Sequence, residues 1–232
     1  RQLDHSRLAQ PPTTPGALGL NITGVVFGNN GFTKTGPGDL ALSASNFSDV
    51  YDGFTGVNTA PTLFGQVLVN NGVLRTGGGR ALGATGPGNE TIVAAGASVD
   101  LRGQTFSYGD DSDPFREIFH IQGAGYNGTG ALRNSTGTGY ASFVTLDNHA
   151  TINTGGTANA SALIIYTYDT DLDNGNSLTN AYTRQRPVIT GNGYDLTIQG
   201  ARNSTEMLII ADPLFASPLN SLIIAEGSVR FR

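Results

Sequence analysis

The stretch "NNGVLRTGG", Asn70–Gly78, decides the fold, because its plan returns three times in the chain. "AAGASVDLRG" (Ala94–Gly103), "DNHATINTGG" (Asp147–Gly156) and "GNGYDLTIQG" (Gly191–Gly200) share it: a polar turn, a few alternating apolar residues, then a Gly-containing turn. A strand this short sends alternate side chains to opposite faces. Alone it cannot bury its inward face; stacked copies can, and repetition is the trace that stacking leaves in a sequence. The alternation in "ASVDL" and "DLTI" therefore predicts every second side chain pointing inward. Gly and small residues between them suit corners where successive turns of backbone pass closely. The period is irregular, roughly 20 to 30 residues, which leaves room for side loops.

Working outward, strand signals recur along the whole chain, each ending at Gly, Asn, Asp or Pro. They run from "ITGVVF" at Ile22 through "DLALS", "QVLV", "GVLR", "TIV", "QTFSY", "EIFHI", "ASFVTL", "ATIN", "ALIIYTY" and "PVIT" to "EMLII", "SLIIA" and "SVRFR". Helical periodicity is poor; "DPFREIFHI" from Asp113 has an N-cap candidate and Pro114 for at most one turn. The expected fold is all-β: a right-handed single-stranded parallel β-helix, or solenoid, over residues 17–232, with a β-sandwich as the alternative. Residues 1–16, with Pro11, Pro12 and Pro15, are expected to form a flexible arm. Residues 206–232 hold the most apolar stretch and are expected to cap the stack or form an interface.

Composition narrows the function. The chain has 232 residues, 33 of them Gly, no Cys, 13% charged residues and a net charge of -5. Without Cys there is neither a disulfide framework nor a thiolate site. Sparse, net negative charge argues against nucleic-acid binding. No run of 18 apolar residues is available to span a membrane as a helix. The chain opens without Met or an apolar leader core, as expected of a processed or excised piece.

Three segments carry a family resemblance: "GFTKTGPGDLALSASNFS" (Gly31–Ser48), "VLVNNGVLRTGGGRALG" (Val67–Gly83) and "IVAAGASVDLRGQ" (Ile92–Gln104). Together they resemble the autotransporter-associated β-strand repeat. The matching residues are Lys34, Thr35, Gly36, Gly38, Leu40, Leu42, Asn46, Gly72, Leu74, Ala81, Leu82 and Gly83. "GYNGTGALRNSTG" is similar to the family's continuation, and the likeness thins towards residue 175. The chain departs from the pattern in an insertion, Asp49–Gly65, and in acidic loops at 110–113 and 169–173. The resemblance implies an exported, extracellular or cell-surface β-helical segment, and it implies no chemistry.

Five kinds of candidate site stand against plain architecture. Gly123, Gly125 and Gly128 fall in a G-x-G-x-x-G spacing after "EIFHIQ", but "GALRNSTGTG" offers no helix N-terminus for a phosphate. A β-helix corner is the expected role. Asp169, Asp171, Asp173 and Asn174 in "YDTDLDNGNS" are candidate calcium ligands, since alternating carboxylates in a turn offer hard oxygens. The loop lacks Gly at its sixth position and Glu at its twelfth, so a solvated loop is the favoured expectation. Asp110, Asp111 and Asp113 with Glu117 could serve polysaccharide cleavage, which needs two carboxyl groups facing across a cleft. His5, His120 and His149 are too scattered for a zinc site. Seven N-x-S/T sequons, at Asn21, Asn46, Asn89, Asn127, Asn134, Asn159 and Asn203, are expected to act as turn residues.

The function expected is a non-enzymatic structural or adhesive segment that meets surface or matrix components, including polysaccharide, and that assembles laterally or as a homo-oligomer. A polysaccharide lyase or hydrolase and a calcium-stabilised binding module are the alternatives.

Overall fold

The computed structural model describes residues 18–51, 57–106, 117–155, 162–165, 189–200, 207–210 and 217–231. Among them the only helical element is a single 3-10 turn, Tyr126–Gly128. All other regular structure is β, and nearly all of it is parallel.

The parallel strands fall into three ladders. The first stacks β2 (Phe32–Lys34), β6 (Val67–Val69), β8 (Thr91–Val93), β10 (Ile118–Gly123), the start of β13 (Phe143–Asn153) and β15 (Ile189–Thr190). The second stacks β1 (Leu18–Ile22), β3 (Asp39–Leu42), β7 (Gly72–Thr76), β9 (Ala97–Asp100), β11 (Leu132–Arg133), the end of β13, β16 (Asp195–Gln199) and β18 (Ser221–Ile224). The third stacks β12 (Thr138–Ala141), β14 (Ala162–Ile165), β17 (Met207–Ile210) and β19 (Ser228–Phe231). Because β13 runs through the corner between the first two ladders, they form one 13-stranded sheet curled into a half-barrel. Successive turns of chain add to the same ladders in the same direction, the pairing a β-helix or solenoid requires. A sandwich of antiparallel sheets would not give it.

The register shows why the repeat plan works. Leu20, Leu40, Leu74, Val99, Leu132, Ile152, Ile198 and Ile224 are consecutive partners along the second ladder. In the first, Val69, Val93, Ile121 and Leu146 occupy one column. Leu74, Val99, Leu132, Ile152 and Ile198 from the second column and all four from the first, with Leu82, Leu101, Phe119 and Leu163, build a single apolar core, while Leu20 and Ile224 are exposed. Each fully buried aliphatic side chain contributes about 1.5–3 kcal/mol by leaving water. No rung reaches this alone, so folding depends on stacking.

Several local expectations are corrected. "ITGVVF" is not a strand; β1 lies earlier, in "LGLNI". Asn46 Oδ1 accepts the Val26 N–H at 2.7 Å, and Thr62 Oγ1 donates to the Val26 carbonyl at 2.9 Å. Side chains thus take backbone groups that a ladder would have used. "FVTL" from "ASFVTL" and "ATIN" fuse into one strand, β13, that bends through a polar corner, while Ala141 ends β12. The insertion in the repeat pattern forms an antiparallel hairpin of β4 (Phe47–Tyr51) and β5 (Val57–Pro61). Beyond these corrections, β17, β18 and β19, within 206–232, add to the second and third ladders. The arm over 1–16, the helical turn expected from Asp113 and the acidic loops at 110–113 and 169–173 lie outside the described residues.

Gly125 shows what the glycines do. It sits at φ 81, and a Cβ there would collide with the Gly130 backbone. The 124–130 loop folds back over β9, where the Tyr126 N–H donates to Ser98 Oγ at 2.8 Å. Gly125→Ala should destabilise the fold by about 2 kcal/mol through left-handed strain plus the clash. Urea unfolding checks this, and an unchanged midpoint would show that the loop is not held against the stack.

Candidate functional site

Among the described residues the polar groups gather between rungs. Along the second ladder Ala41, Arg75, Asp100, Arg133 and Asn153 share one register column, on the side opposite the aliphatic one. Arg75 Nε donates to Asp39 Oδ2 at 2.7 Å, and its Nη1 lies 3.5 Å from Asp100 Oδ2. Arg133 Nη2 donates to that same Asp100 oxygen at 2.9 Å. Asp100 Oδ1 accepts the backbone N–H of Ser135 at 3.0 Å and of Arg102 at 3.3 Å. Asp100 is wholly buried, so its charge is compensated only by these partners.

Lys34 is a further buried charge, beside the buried Asp39. It occupies a column otherwise filled by Val69, Val93, Ile121 and Leu146, and its Nζ reaches out to donate to the carbonyls of Gly36 and Asn71. Burial holds its pKa below the usual lysine value, with Asp39 pulling the other way.

Glu117 is buried as well. It sits at the entry to β10 and is wholly withdrawn from solvent. Thr91 Oγ1 donates to its Oε1 at 2.6 Å, while Oε2 has no partner. Burial pushes its pKa up to about 8; the Thr91 bonds oppose the shift and the Glu90 charge adds to it. A group of this kind binds a proton at neutral pH and does not face solvent.

Asparagines pin the corners. Asn134, fully buried, accepts the Gly103 N–H at 2.7 Å and donates to the carbonyls of Gly137 and Ala162, both at 2.8 Å. Buried Asn46 bonds the Val26 N–H and the Ala81 carbonyl. Asn89 accepts the Gly65 N–H at 2.8 Å and donates to the Thr85 carbonyl at 3.2 Å. Asn21 Oδ1 also accepts from Ser43 Oγ at 2.6 Å, so four sequons carry amides engaged between neighbouring turns. Asn127, by contrast, is exposed in the 3-10 turn at φ 52. Asn159 and Asn203 lie outside the described residues.

Two histidine–aspartate pairs cross the rungs on the surface. His120 Nδ1 is 2.9 Å from Asp147 Oδ1. The Asp195 N–H donates to His149 Nδ1 at 3.0 Å, and Asp195 Oδ2 lies 3.1 Å from the same nitrogen. Asn220 Nδ2 donates to Asp195 Oδ1 at 2.6 Å, and this bond leads in holding the Asp195 pKa below the usual value. Tyr194 meets the His149 ring edge-on, with centroids 5.7 Å apart. Spacing could not reveal these pairs, because their members are separated by whole turns of chain.

The structure places the sequence-derived candidates as follows. Gly123, Gly125 and Gly128 line a loop without an α-helix, with Gly125 pressed on Gly130, so the phosphate motif is a corner. Glu117 is separated from solvent rather than set in an open loop. Asp110, Asp111, Asp113, Asp169, Asp171, Asp173 and Asn174 lie outside the described residues. Among those described, no group of three or more His, Asp or Glu side chains could hold a metal ion, and no helix is long and apolar enough to cross a membrane.

Fold and polar network together define an all-β protein of stacked parallel strands. Compared with known proteins, the chain matches no family model, no curated protein and no solved structure.

Proposed function

We propose that the chain is a segment of a right-handed, single-stranded parallel β-helix with a structural or adhesive role at a cell surface or in an extracellular matrix, as in autotransporter-associated repeat proteins. The observation that carries this is where the buried polar side chains go. Thr91, Asp100, Asn134 and Asn46 all bond across the gap between neighbouring turns. Chemistry of that kind holds a rod together and leaves an exposed lattice of polar turns to meet a surface. Exported, non-enzymatic display follows from the repeat resemblance and from low charge.

Incubation with a panel of neutral and acidic polysaccharides tests it. Retention on some surfaces without new reducing ends or unsaturated products is expected. Turnover would replace this reading with a lyase or hydrolase acting through its loop carboxylates.

A calcium-stabilised form of the same proposal keeps Asp169, Asp171, Asp173 and Asn174 as oxygen ligands. Binding to the folded state alone would raise the melting temperature of EDTA-treated protein on addition of millimolar calcium. An unchanged melting temperature is expected if the loop is simply solvated, and it would remove calcium from the account.

A further inference from the structure

Among the described residues one sequon stands clear of the stack, Asn127-Gly128-Thr129. It lies at the tip of the 124–130 loop between β10 and β11, and none of its side chains is buried. Asn127 is exposed, and no described partner holds its amide. The other four described sequons are built into the fold. Asn46 and Asn134 are buried, with amides bonded across turns. Asn89 donates to the Thr85 carbonyl, and the hydroxyl of its Thr91 bonds Glu117 in the interior. Asn21 lies within β1, and the next residue, Ile22, packs against the core. Drawing any of these four out breaks bonds that join rungs or disturbs the core.

Sugar transfer to Asn needs an accessible amide with a hydroxyl two residues on, free to enter a transferase. What holds the turn at 127–129 is small. The Gly128 N–H donates to the Gly125 carbonyl at 3.2 Å, and the Thr129 N–H to the Tyr126 carbonyl at 3.1 Å. Thr129 Oγ1 donates to that same carbonyl at 2.7 Å and accepts from Arg133 Nη1 at 3.0 Å. These bonds are local, none crosses to another rung, and water replaces partners that part at the surface. The anchor of the loop, the Tyr126 N–H on Ser98 Oγ, lies outside the tripeptide. We propose that Asn127 is an acceptor for an N-linked sugar, added to the folded chain. The donor is a sugar whose C1 carries a diphosphate leaving group, on a nucleotide or on a lipid carrier. Asn127 Nδ2 bonds to C1, the C1–O bond breaks, and the diphosphate leaves with that electron pair. Nδ2 gives up one proton to a base of the transferase. The sugar then projects into solvent from the corner between the first two ladders. The inference goes beyond the proposed function and is read by mass, so failure of surface adhesion would leave it standing.

Two donors test it on the folded chain, in separate arms. One arm uses a soluble N-glycosyltransferase with a nucleotide-activated hexose; the other uses a membrane-bound oligosaccharyltransferase with its lipid-linked donor. Intact mass and peptide mapping are expected to place a sugar on the Asn127 peptide in at least one arm, which identifies the donor class. Asn21, Asn46, Asn89 and Asn134 should stay bare. Asn127→Gln and Thr129→Ala should each abolish the addition, while Thr129→Ser keeps it, which separates loss of the sequon from loss of the fold. The modified chain should keep the native circular dichroism and melting temperature, because the sugar meets only water. An Asn127 peptide that stays bare with both donors overturns the proposal. Addition at the buried Asn46 or Asn134 in equal yield also overturns it, since the unfolded chain would then be the substrate.

Discussion

Replacing Glu117 by Gln is expected to remove a loss of stability that the native chain suffers as pH rises from about 4.5 to about 8. The folded protein holds a proton on Glu117 across this window, whereas the unfolded chain releases it near 4.5. The unfolded state therefore binds fewer protons, and stability falls with rising pH. The contribution is complete below the unfolded value and gone once pH passes through the folded one. Above that point the buried carboxylate, with Oε2 unpartnered, opposes folding by an amount on the order of a few kcal/mol. Glutamine keeps an oxygen for Thr91 Oγ1 and carries no charge. Urea midpoints at pH 5 and pH 9 should thus differ much less in Glu117→Gln than in the native chain, and at pH 9 the variant should be the more stable protein. Equal slopes in the two proteins would show that Glu117 does not titrate in the fold. Lys34 works in the opposite sense at higher pH: its lowered pKa penalises the folded state until the ammonium is lost, so stability recovers as pH climbs towards the ordinary lysine value.

The second large effect is expected at Asp100. Asp100→Ala strips the ladder of the carboxylate that lies between Arg75 and Arg133 and that caps the N–H groups of Ser135 and Arg102. It leaves Arg133 without its counter-charge, Arg75 with Asp39 alone, and two backbone donors short of an acceptor. Breaking a buried pair in this way costs about 3–5 kcal/mol. Asp100→Asn keeps an acceptor for the backbone donors and should cost less, which separates the hydrogen-bond part from the charge. Chemical denaturation of both variants at neutral pH measures the two parts. A loss below about 1 kcal/mol for the alanine variant would put the ladder in the class of surface ion pairs.

The strand positions were largely legible. "GVLR", "TIV", "ASVDL", "DLTIQ" and "SLIIA" each appear in the fold within a residue or two of their expected place. Alternation is a local signal, and side chains obey it wherever one face is buried. The signal misled at "ITGVVF", where Asn46 and Thr62, distant in sequence, bond the backbone of Val26. It was silent on the β4–β5 hairpin, which falls in an insertion that breaks the repeat.

The candidate site was much less legible. Acidic residues drew attention because they cluster in sequence, yet the polar groups with the most to lose are single ones. Asp100 sits inside the apolar stretch "ASVDL", and Lys34 belongs to a Lys-Thr-Gly turn. Asp100 stands on the side of the strand opposite the aliphatic column, the side that alternation assigns to solvent. It is nonetheless buried, held by Arg75 and Arg133 from the rungs before and after it and by Ser135. No spacing announces this, because loops of different lengths separate one rung from the next.

By itself, the sequence determined that this protein is built from short strands and Gly-rich corners, since alternation and turn chemistry act within a few residues. Only the tertiary structure decided which side chains share a rung-to-rung gap: Glu117 with Thr91, Arg133 with Asp100, Asn134 with Gly103 and Ala162. Register between turns is set by backbone pairing across the stack, and that pairing brings together residues whose separation along the chain carries no trace of their contact.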